Sequence, residues 1–367
     1  MMRKVTAVVV LVILLSISAG CWNRREIETL GFVVGSGVDT PLGPTHWDSP
    51  DVGGEIERRL QLTVQIMKPS GMSTGERGTT LERPFWTVSI TGRTLFECVR
   101  GLSEVSPRSL YWPHNRWLLL GEEYAKGGVA RLLDFWERDQ ETRRRAVLGV
   151  VKDGRAWDLL QVESELERVP SESGRETLLN AFKKSSSIVW TSVNDFVVAL
   201  ASEGIDPIAL RVETIPYAYP YEITGDVTRE EVKATARLSG AAVFRSDKLV
   251  GWLDGREARG YNWVVGKVKS ALLVVEAPER SIEPEPGASL IGLEIIGAKG
   301  AFKPKITDDG RSIGIAVKIS AEANFADVQP YVDSYSDSEL WTITERRLEE
   351  VIRNEVMAAI TKAQELR

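Results

Sequence analysis

The amino terminus constrains this chain more than any other stretch, because it decides where the rest of the chain has to fold. Arg3 and Lys4 give a short positive start, a core over 5–15 is apolar except for Thr6, and small residues lead up to Cys21. This layout is typical of a secretory signal peptide, whose apolar core of roughly 7 to 15 residues is too short to span a bilayer. Residues 1–20 are therefore predicted to be removed.

Cys21 is the predicted lipid attachment site. The ending Ala19, Gly20, Cys21 resembles the lipobox of bacterial lipoproteins, in which the thiol receives a diacylglyceryl group and the signal is cut in front of it. Ser18 departs from that pattern, which usually has Leu there. The alternative is ordinary signal cleavage that leaves a free thiol. Two acyl chains would hold the protein at the membrane, since each buried methylene contributes about 0.8 kcal/mol.

Three residues beside Cys21 are predicted to lie at the membrane surface: Trp22, Arg24 and Arg25. A basic residue close to an anionic leaflet adds on the order of 1 kcal/mol to membrane binding. The alternative is that Arg24 and Arg25 are simply a solvated charge pair.

Composition limits the remaining possibilities. The chain has 367 residues, of which 43% are hydrophobic and 27% charged, which suits one large or two ordinary globular domains. A formal net charge of -6 argues against a nucleic-acid partner. Cys98 is the only cysteine besides Cys21, so no disulfide framework is possible, and His46 and His114 lack the cysteine neighbours of a zinc site.

Apolar periodicity predicts a mixed α/β region over 21–200, because strand patterns lead repeatedly into helix patterns. Cys98 falls on the apolar face of one predicted helix and is interpreted as a core residue. Another helix is predicted over 156–166, and a polar, Ser-rich stretch over 170–187. A loop over 41–54 that holds His46 and Trp47 is either a contact surface or an ordinary variable loop.

A second, β-rich domain is predicted over 221–367, after a proline-containing linker over 201–220. It opens with a hairpin over 238–253, continues with strands that favour an antiparallel sheet, and closes with a long amphipathic helix. Limited proteolysis is predicted to cut between Pro170 and Pro220. The fold class is thus α+β or mixed α/β, with a mixed sheet-and-helix domain followed by the β-rich one.

His114, Arg116, Glu122 and Glu123 are the side chains best suited to acid–base chemistry, since that chemistry needs a His or a carboxylate near its substrate. No Ser or Cys nucleophile motif accompanies them. The favoured interpretation is structural, with His114 and Arg116 holding a loop against the strand that follows, and catalysis is the alternative. The sequence therefore predicts a protein that is not an enzyme and that has neither a cofactor nor a metal site.

Several motifs together resemble the Ger(x)C family of spore germination lipoproteins, the C subunits of nutrient receptors. Its mature chains open with Cys-Trp-Asp-Arg-Arg-Glu, and here only Asn23 departs from that opening. Matching positions of the first half are Gly35, Gly37, Asp39, Pro107, Arg108, His114, Arg116, Arg138, Asp139, Arg143 and Arg144. Those of the second half are Gly240, Phe244, Lys248, Leu249, Gly251, Leu253, Glu257 and Trp263.

The resemblance implies a lipid-anchored receptor subunit on the outer face of the cytoplasmic membrane, which in the endospore is the inner spore membrane. Its implied partners are the integral-membrane A and B subunits and, through Cys21, membrane lipid. Family members usually continue past the last helix with a further strand, so an edge of the second sheet is expected to lack its neighbour here. A solute-binding lipoprotein of a transporter is the alternative, and it would need two similar α/β lobes around a cleft.

Overall fold

The computed structural model describes residues 2–6, 26–43, 59–68, 83–162, 167, 169–216, 234–277, 290–306, 313–328 and 338–366. The strands are β1 (Leu30–Asp39), β2 (Leu60–Met67), β3 (Phe85–Gly92), β4 (Ser109–Tyr111), β5 (Trp117–Gly121), β6 (Val147–Val151), β7 (Ile208–Pro216), β8 (Ala234–Arg245), β9 (Lys248–Leu253), β10 (Ala271–Glu276), β11 (Leu290–Ile306) and β12 (Ile313–Val328). After residue 26 the helices are α1 (Leu95–Val105), α2 (Glu122–Gly127), α3 (Ala130–Arg138), α4 (Ala156–Leu159), α5 (Pro170–Lys184), α6 (Val193–Ala201), α7 (Gly255–Val264) and α8 (Ser338–Glu365). Short 3-10 turns lie at Ile27–Thr29 and Trp112–His114.

A large mixed sheet holds the strands up to β9. Its order is β3-β2-β1-β5-β6-β7-β8-β9, with β4 paired to the beginning of β1. The central strands β1, β5, β6 and β7 run parallel, while β2 and β3 on one side and β8 and β9 on the other pair antiparallel. The parallel strands therefore begin toward one end of the sheet and finish toward the other.

Both faces of the large sheet are covered by helices. Alternate residues of β5 point to opposite sides: Leu118 and Leu120 join a core with α1, α3 and α6, whereas Trp117 and Leu119 join a core with α4 and α5. Strands buried on both faces are expected to be continuously apolar, and the WLLLG run of β5 has that composition.

The remaining strands form a small antiparallel sheet in the order β10-β11-β12. Helix α8 covers it, with Ile352 and Val356 packed against Leu273 and Ile295. Helix α7 lies between the two sheets, since its Ala258 belongs to a core with β8 and β9 while its Trp263 belongs to the core under α8. The predicted fold class is therefore confirmed: a mixed sheet-and-helix region, a second antiparallel sheet and a long carboxyl-terminal helix.

The predicted linker is wrong at its centre, because Ile208–Pro216 forms strand β7 inside the large sheet. It pairs parallel with β6 and, along its whole length, antiparallel with β8. The linker was predicted from the prolines of this stretch. Pro207 precedes the strand and Pro216 ends it, and proline at these positions does not break a sheet. The hairpin over 238–253 is likewise part of the large sheet and does not open a separate one.

Two helix predictions also need correction. The Ser-rich stretch after residue 169 is helix α5, which begins at Pro170, a residue well suited to the first helical position. Helix α4 covers Ala156–Leu159 of the predicted 156–166, and the carbonyl of Leu160, directly after it, accepts a hydrogen bond from Gln65 Nε2 at 2.9 Å. The window expected to be cut by protease thus holds α5, α6 and β7.

Candidate functional site

The glycines of the Gly35-x-Gly37-x-Asp39 motif let two helices approach the backbone of β1. A Cβ atom on Gly35 would overlap the Ser171 hydroxyl of α5, and one on Gly37 would lie 2.6 Å from the Ala156 Cβ of α4. Carbon atoms do not approach that closely without displacement. The glycines are therefore explained by packing between the sheet and these helices.

Asp39 stabilises the contact between β1 and α4. Its carboxylate accepts hydrogen bonds from the backbone N–H groups of Ala156 at 2.8 Å and of Trp157 at 2.9 Å, which caps the first turn of α4. The side chain is 1% exposed, and this burial raises the pKa of Asp39 despite the two hydrogen bonds. Asp39 thus ties the end of β1 to the helix that packs on it.

A buried hydrogen-bond chain fixes the segment before β5. Ser36 Oγ donates to the Trp117 carbonyl at 2.9 Å, so its only proton is used and it can accept from Asn115 Nδ2 at 2.8 Å. Asn115 is 4% exposed and lies between two outward-facing neighbours, His114 and Arg116. The residue that holds this segment is therefore Asn115, which the sequence analysis did not single out.

His114 and Arg116 make contacts at the surface. The His114 ring lies edge-on to the Phe32 ring, with 5.3 Å between centroids, and Arg116 forms an ion pair with Glu172 at 2.9 Å. Both residues precede β5, whereas Glu122 follows it. The five residues of β5 separate His114 and Arg116 from Glu122 by roughly 16 Å, at about 3.3 Å per residue.

Glu122 and Glu123 have their own partners at the far end of β5. Glu122 accepts a hydrogen bond from the Asp153 backbone at 2.6 Å, and both carboxylates pair with Lys126, at 3.0 and 2.7 Å. Hydrogen bonds from Lys126 to Glu123 and Glu122 raise the pKa of its ammonium group to about 12. The four residues weighed as an acid–base site therefore do not form one site.

Arginines gather where the parallel strands begin. Arg116, Arg145 and Arg175 line a recess of about 320 Å³, with the Trp117 and Trp190 side chains contributing to its wall. The backbone N–H of Val147, which starts β6, donates to the Arg116 carbonyl at 2.8 Å and so places Arg145 and Arg116 side by side. Two of these arginines have carboxylate partners, since Arg116 pairs with Glu172 and Arg175 with Glu176.

The predicted site residues at the amino terminus, Cys21, Trp22, Arg24 and Arg25, lie outside the described residues. Glu26 is the first described residue that follows them, and the 3-10 turn Ile27–Thr29 leads directly into β1. Within the described ranges, no helix is both long and apolar enough to cross a membrane. In the same ranges, no three His, Cys, Asp or Glu side chains are grouped so that they could hold a metal ion.

Two known protein families match this chain. Residues 23–214 match the family described as the spore germination protein N-terminal domain. Residues 239–367 match the family described as spore germination B3/GerAC like, C-terminal. The chain belongs to the GerAC-like family of spore germination proteins. The resemblance noted in the sequence is thereby confirmed.

Relatives in Bacillus subtilis (strain 168) align over most of the chain. Spore germination protein KC is 25% identical, over 99% of this chain and 84% of its own length. The putative spore germination protein YfkR is 23% identical, over 95% and 81%, and spore germination protein B3 is 24% identical, over 91% and 79%. The crystal structure of the GerBC protein is 20% identical and covers 81% of this chain and 77% of that one, with a TM-score of 0.42.

The two GerAC-like matches meet inside one sheet. The first ends at residue 214, within β7, and the second begins at residue 239, within β8. Because β7 and β8 are hydrogen-bonded neighbours, the two matched regions share the large sheet. Boundaries seen in family alignments therefore do not coincide with a break in this fold.

Proposed function

We propose that this chain is a lipid-anchored subunit of a spore germinant receptor, held by acylated Cys21 on the outer face of the cytoplasmic membrane, the inner membrane of the spore. The observation that carries the proposal is the pair of spore-germination matches, over 23–214 and 239–367. The lipobox-like ending at Cys21 supports the anchor, because a thiol behind a signal peptide and small residues is the acceptor that lipoprotein processing uses.

The subunit acts by binding integral-membrane A and B subunits and not by chemistry of its own. The separation of His114 from Glu122 supports this mode of action, since a general acid and base have to reach the same substrate. The domain division, 21–200 and 221–367, stays a prediction; β7, which lies in the predicted linker, pairs with β8 of the second region in one sheet.

Lipid attachment is tested by feeding an alkyne-labelled palmitate to cells that express the chain, followed by membrane fractionation. Cys21→Ala is expected to abolish the label and to release the protein from membranes that lack the A and B subunits. Cys98→Ala is the matched control, because it removes the other cysteine, which is buried in the core. Label that persists in Cys21→Ala, or is lost in Cys98→Ala, would refute attachment at Cys21.

Assembly is tested by co-purifying the chain with its A and B subunits from spore membranes, beside a thermal melt of each variant. His114→Ala and Glu122→Gln are expected to assemble and germinate like the wild type when they melt like it. A His114→Ala protein that melts normally and assembles fully, yet abolishes germination, would demonstrate a chemical or ligand-binding role and overturn the proposed mode of action. Failure of the wild type to co-purify with either subunit would overturn the receptor assignment.

A further inference from the structure

The proposed anchor fixes which end of the large sheet lies near the membrane. Cys21 precedes Glu26 by five residues, and the turn Ile27–Thr29 leads straight into β1. Five residues span at most about 18 Å when fully extended, at about 3.6 Å each. The inference below rests on the proposed lipidation, because only an acylated Cys21 keeps the start of β1 this close to the bilayer.

A set of arginines lies beside the first residues of β1. Strand β4 pairs with Leu30–Phe32, which places Arg108 next to Gly31, and the backbone of Arg116 donates to the Val34 carbonyl at 3.1 Å. The segment 143–145 precedes β6, the strand adjacent to β5. We call this set the arginine edge; its members are Arg108, Arg116, Arg143, Arg144 and Arg145.

Three members of the arginine edge have no carboxylate partner among the described residues. Arg108, Arg143 and Arg145 are exposed, and none of them forms an ion pair with the part of the chain that the structure describes. Arg116 and Arg144, in contrast, pair with Glu172 at 2.9 Å and with Glu137 at 3.1 Å. Three cations without a described partner thus lie toward this end of the sheet, Arg108 beside β1 and Arg143 and Arg145 before β6, on the far side of β5.

The net charge of the chain affects which face of the protein can lie against an anionic membrane. The full chain has a formal charge of -6, and removal of Arg3 and Lys4 with residues 1–20 leaves 44 basic and 52 acidic residues, a charge of -8. Such a protein is repelled by an anionic leaflet when it is held within about one Debye length, roughly 8 to 10 Å, of the surface. At the other end of β5 the exposed cation Lys126 is paired with two carboxylates. The arginine edge is therefore the better face to turn toward anionic lipid.

We propose that the arginine edge contacts the anionic lipid headgroups of the membrane to which the chain is tethered. Guanidinium groups bind phosphate in a planar, two-point geometry, so the chemistry of the edge matches a phosphodiester headgroup. The contact sets the orientation of the body: the start of β1 faces the bilayer, and the α2 end of the sheet faces away from it.

The test measures vesicle binding by the arginine edge in a protein that lacks the lipid anchor. The mature chain with Cys21→Ser is sedimented with vesicles of phosphatidylcholine alone and with vesicles of equal parts phosphatidylcholine and phosphatidylglycerol. The edge variant is Arg108→Gln/Arg143→Gln/Arg145→Gln. The matched control is Arg131→Gln/Lys303→Gln/Lys305→Gln, which removes the same charge from three other exposed positions. A thermal melt of each protein checks that it is folded.

The wild type is expected to bind the phosphatidylglycerol vesicles, less so as salt is added, and to bind phosphatidylcholine alone much more weakly. The edge variant is expected to lose roughly 100-fold in partitioning, since each basic residue contributes about fivefold near an anionic surface, while the control stays close to the wild type. Equal losses in the edge variant and the control, or no loss in the edge variant, would overturn the proposal.

A wild type that does not bind anionic vesicles would also overturn it. None of these outcomes bears on lipidation, because the protein tested carries no acyl group. The palmitate label at Cys21 is read separately, so failure of the orienting contact and failure of the anchor are told apart.

Discussion

Glu355→Gln is expected to lower the free energy of unfolding by about 2 to 4 kcal/mol, because Glu355 holds the joint between α7 and α8. Its side chain is 2% exposed. One carboxylate oxygen accepts from Arg259 Nε and from Trp263 Nε1, both at 2.9 Å, and the other accepts from Arg259 Nη2. The carboxylate is therefore charged, buried and fully used by two residues of α7.

The magnitude follows from what the substitution leaves behind. Removing one partner of a buried ion pair costs about 3 to 5 kcal/mol, because the remaining charge is left without compensation. Here the Arg259 side chain is 17% exposed, so water screens part of its charge. A glutamine carbonyl also retains one acceptor for Trp263 or Arg259. Both effects reduce the expected loss to about 2 to 4 kcal/mol.

Urea unfolding followed by tryptophan fluorescence measures the effect. Asp134→Asn is the matched control, since the Arg138–Asp134 pair is also an arginine–carboxylate contact at 2.9 Å but its side chains are 78% and 60% exposed. It is expected to cost at most about 0.5 kcal/mol. In a double-mutant cycle with Arg259→Gln, the double variant is expected to lose about 1 to 3 kcal/mol less than the sum of the single variants.

Two outcomes would refute this reasoning. If Glu355→Gln costs no more than Asp134→Asn, burial does not strengthen the pair. If the cycle is additive, Glu355 and Arg259 stabilise the protein independently, and the joint between the helices has another origin.

Three further predictions concern the first half of the chain. Gly37→Ala is expected to cost about 1 to 3 kcal/mol by overlap with the Ala156 Cβ, whereas Gly43→Ala, where no atom of the described residues lies within 4 Å of the added Cβ, should be nearly neutral in the same urea assay. Burial raises the pKa of Asp39, so the stability gained by protonating its carboxyl group is fully present below the unfolded pKa, near 3.8, and is lost as the pH rises through the folded pKa. The free energy of unfolding of the wild type relative to Asp39→Asn should therefore fall with rising pH between these two values. A difference that stays constant with pH would contradict the raised pKa. Burial likewise raises the pKa of Cys98 to about 12, so a lipidated protein should react with iodoacetamide at neutral pH only after denaturation, and rapid reaction of the native protein would show that Cys98 is accessible.

Local periodicity predicted much of the fold. The alternation in 60–67 gives the bounds of β2, and the i, i+3, i+4 spacing around Ile352 and Val356 predicts the buried face of α8. Cys98 was assigned to the core on the same grounds and is 1% exposed. These features are predictable because each depends on neighbours within one or two turns of the same element.

The sites were harder to predict, because they depend on partners far away in the sequence. Asn115 bonds to Ser36, which lies 79 residues earlier, and Arg259 pairs with Glu355, 96 residues later. No local pattern marks either residue as buried. The carboxylate of Glu355 even falls on the apolar side of α8, where periodicity alone favours a hydrophobic residue.

The position of β7 limits where this subunit can bend. Separating the two family-matched regions would break the β7–β8 pairing, which runs from Ile208 with Val243 to Pro216 with Ala234. Backbone hydrogen bonds contribute about 0.5 to 1.5 kcal/mol each, so a hinge there would cost several kcal/mol before any apolar surface is exposed. The small sheet is joined to the large one differently, through α7 and its contacts with α8. Two side-chain hydrogen bonds add to this junction: Arg245 of β8 donates to the Leu366 carbonyl at 3.0 Å, and Ser186 Oγ donates to the Ser270 carbonyl at 2.7 Å. We therefore expect relative movement of the two sheets to occur at the α7–α8 joint, and Glu355→Gln to loosen the small sheet while the hydrogen-exchange protection of β7 and β8 stays as in the wild type. Loss of protection in β7 together with the small sheet would show instead that the chain unfolds as one unit.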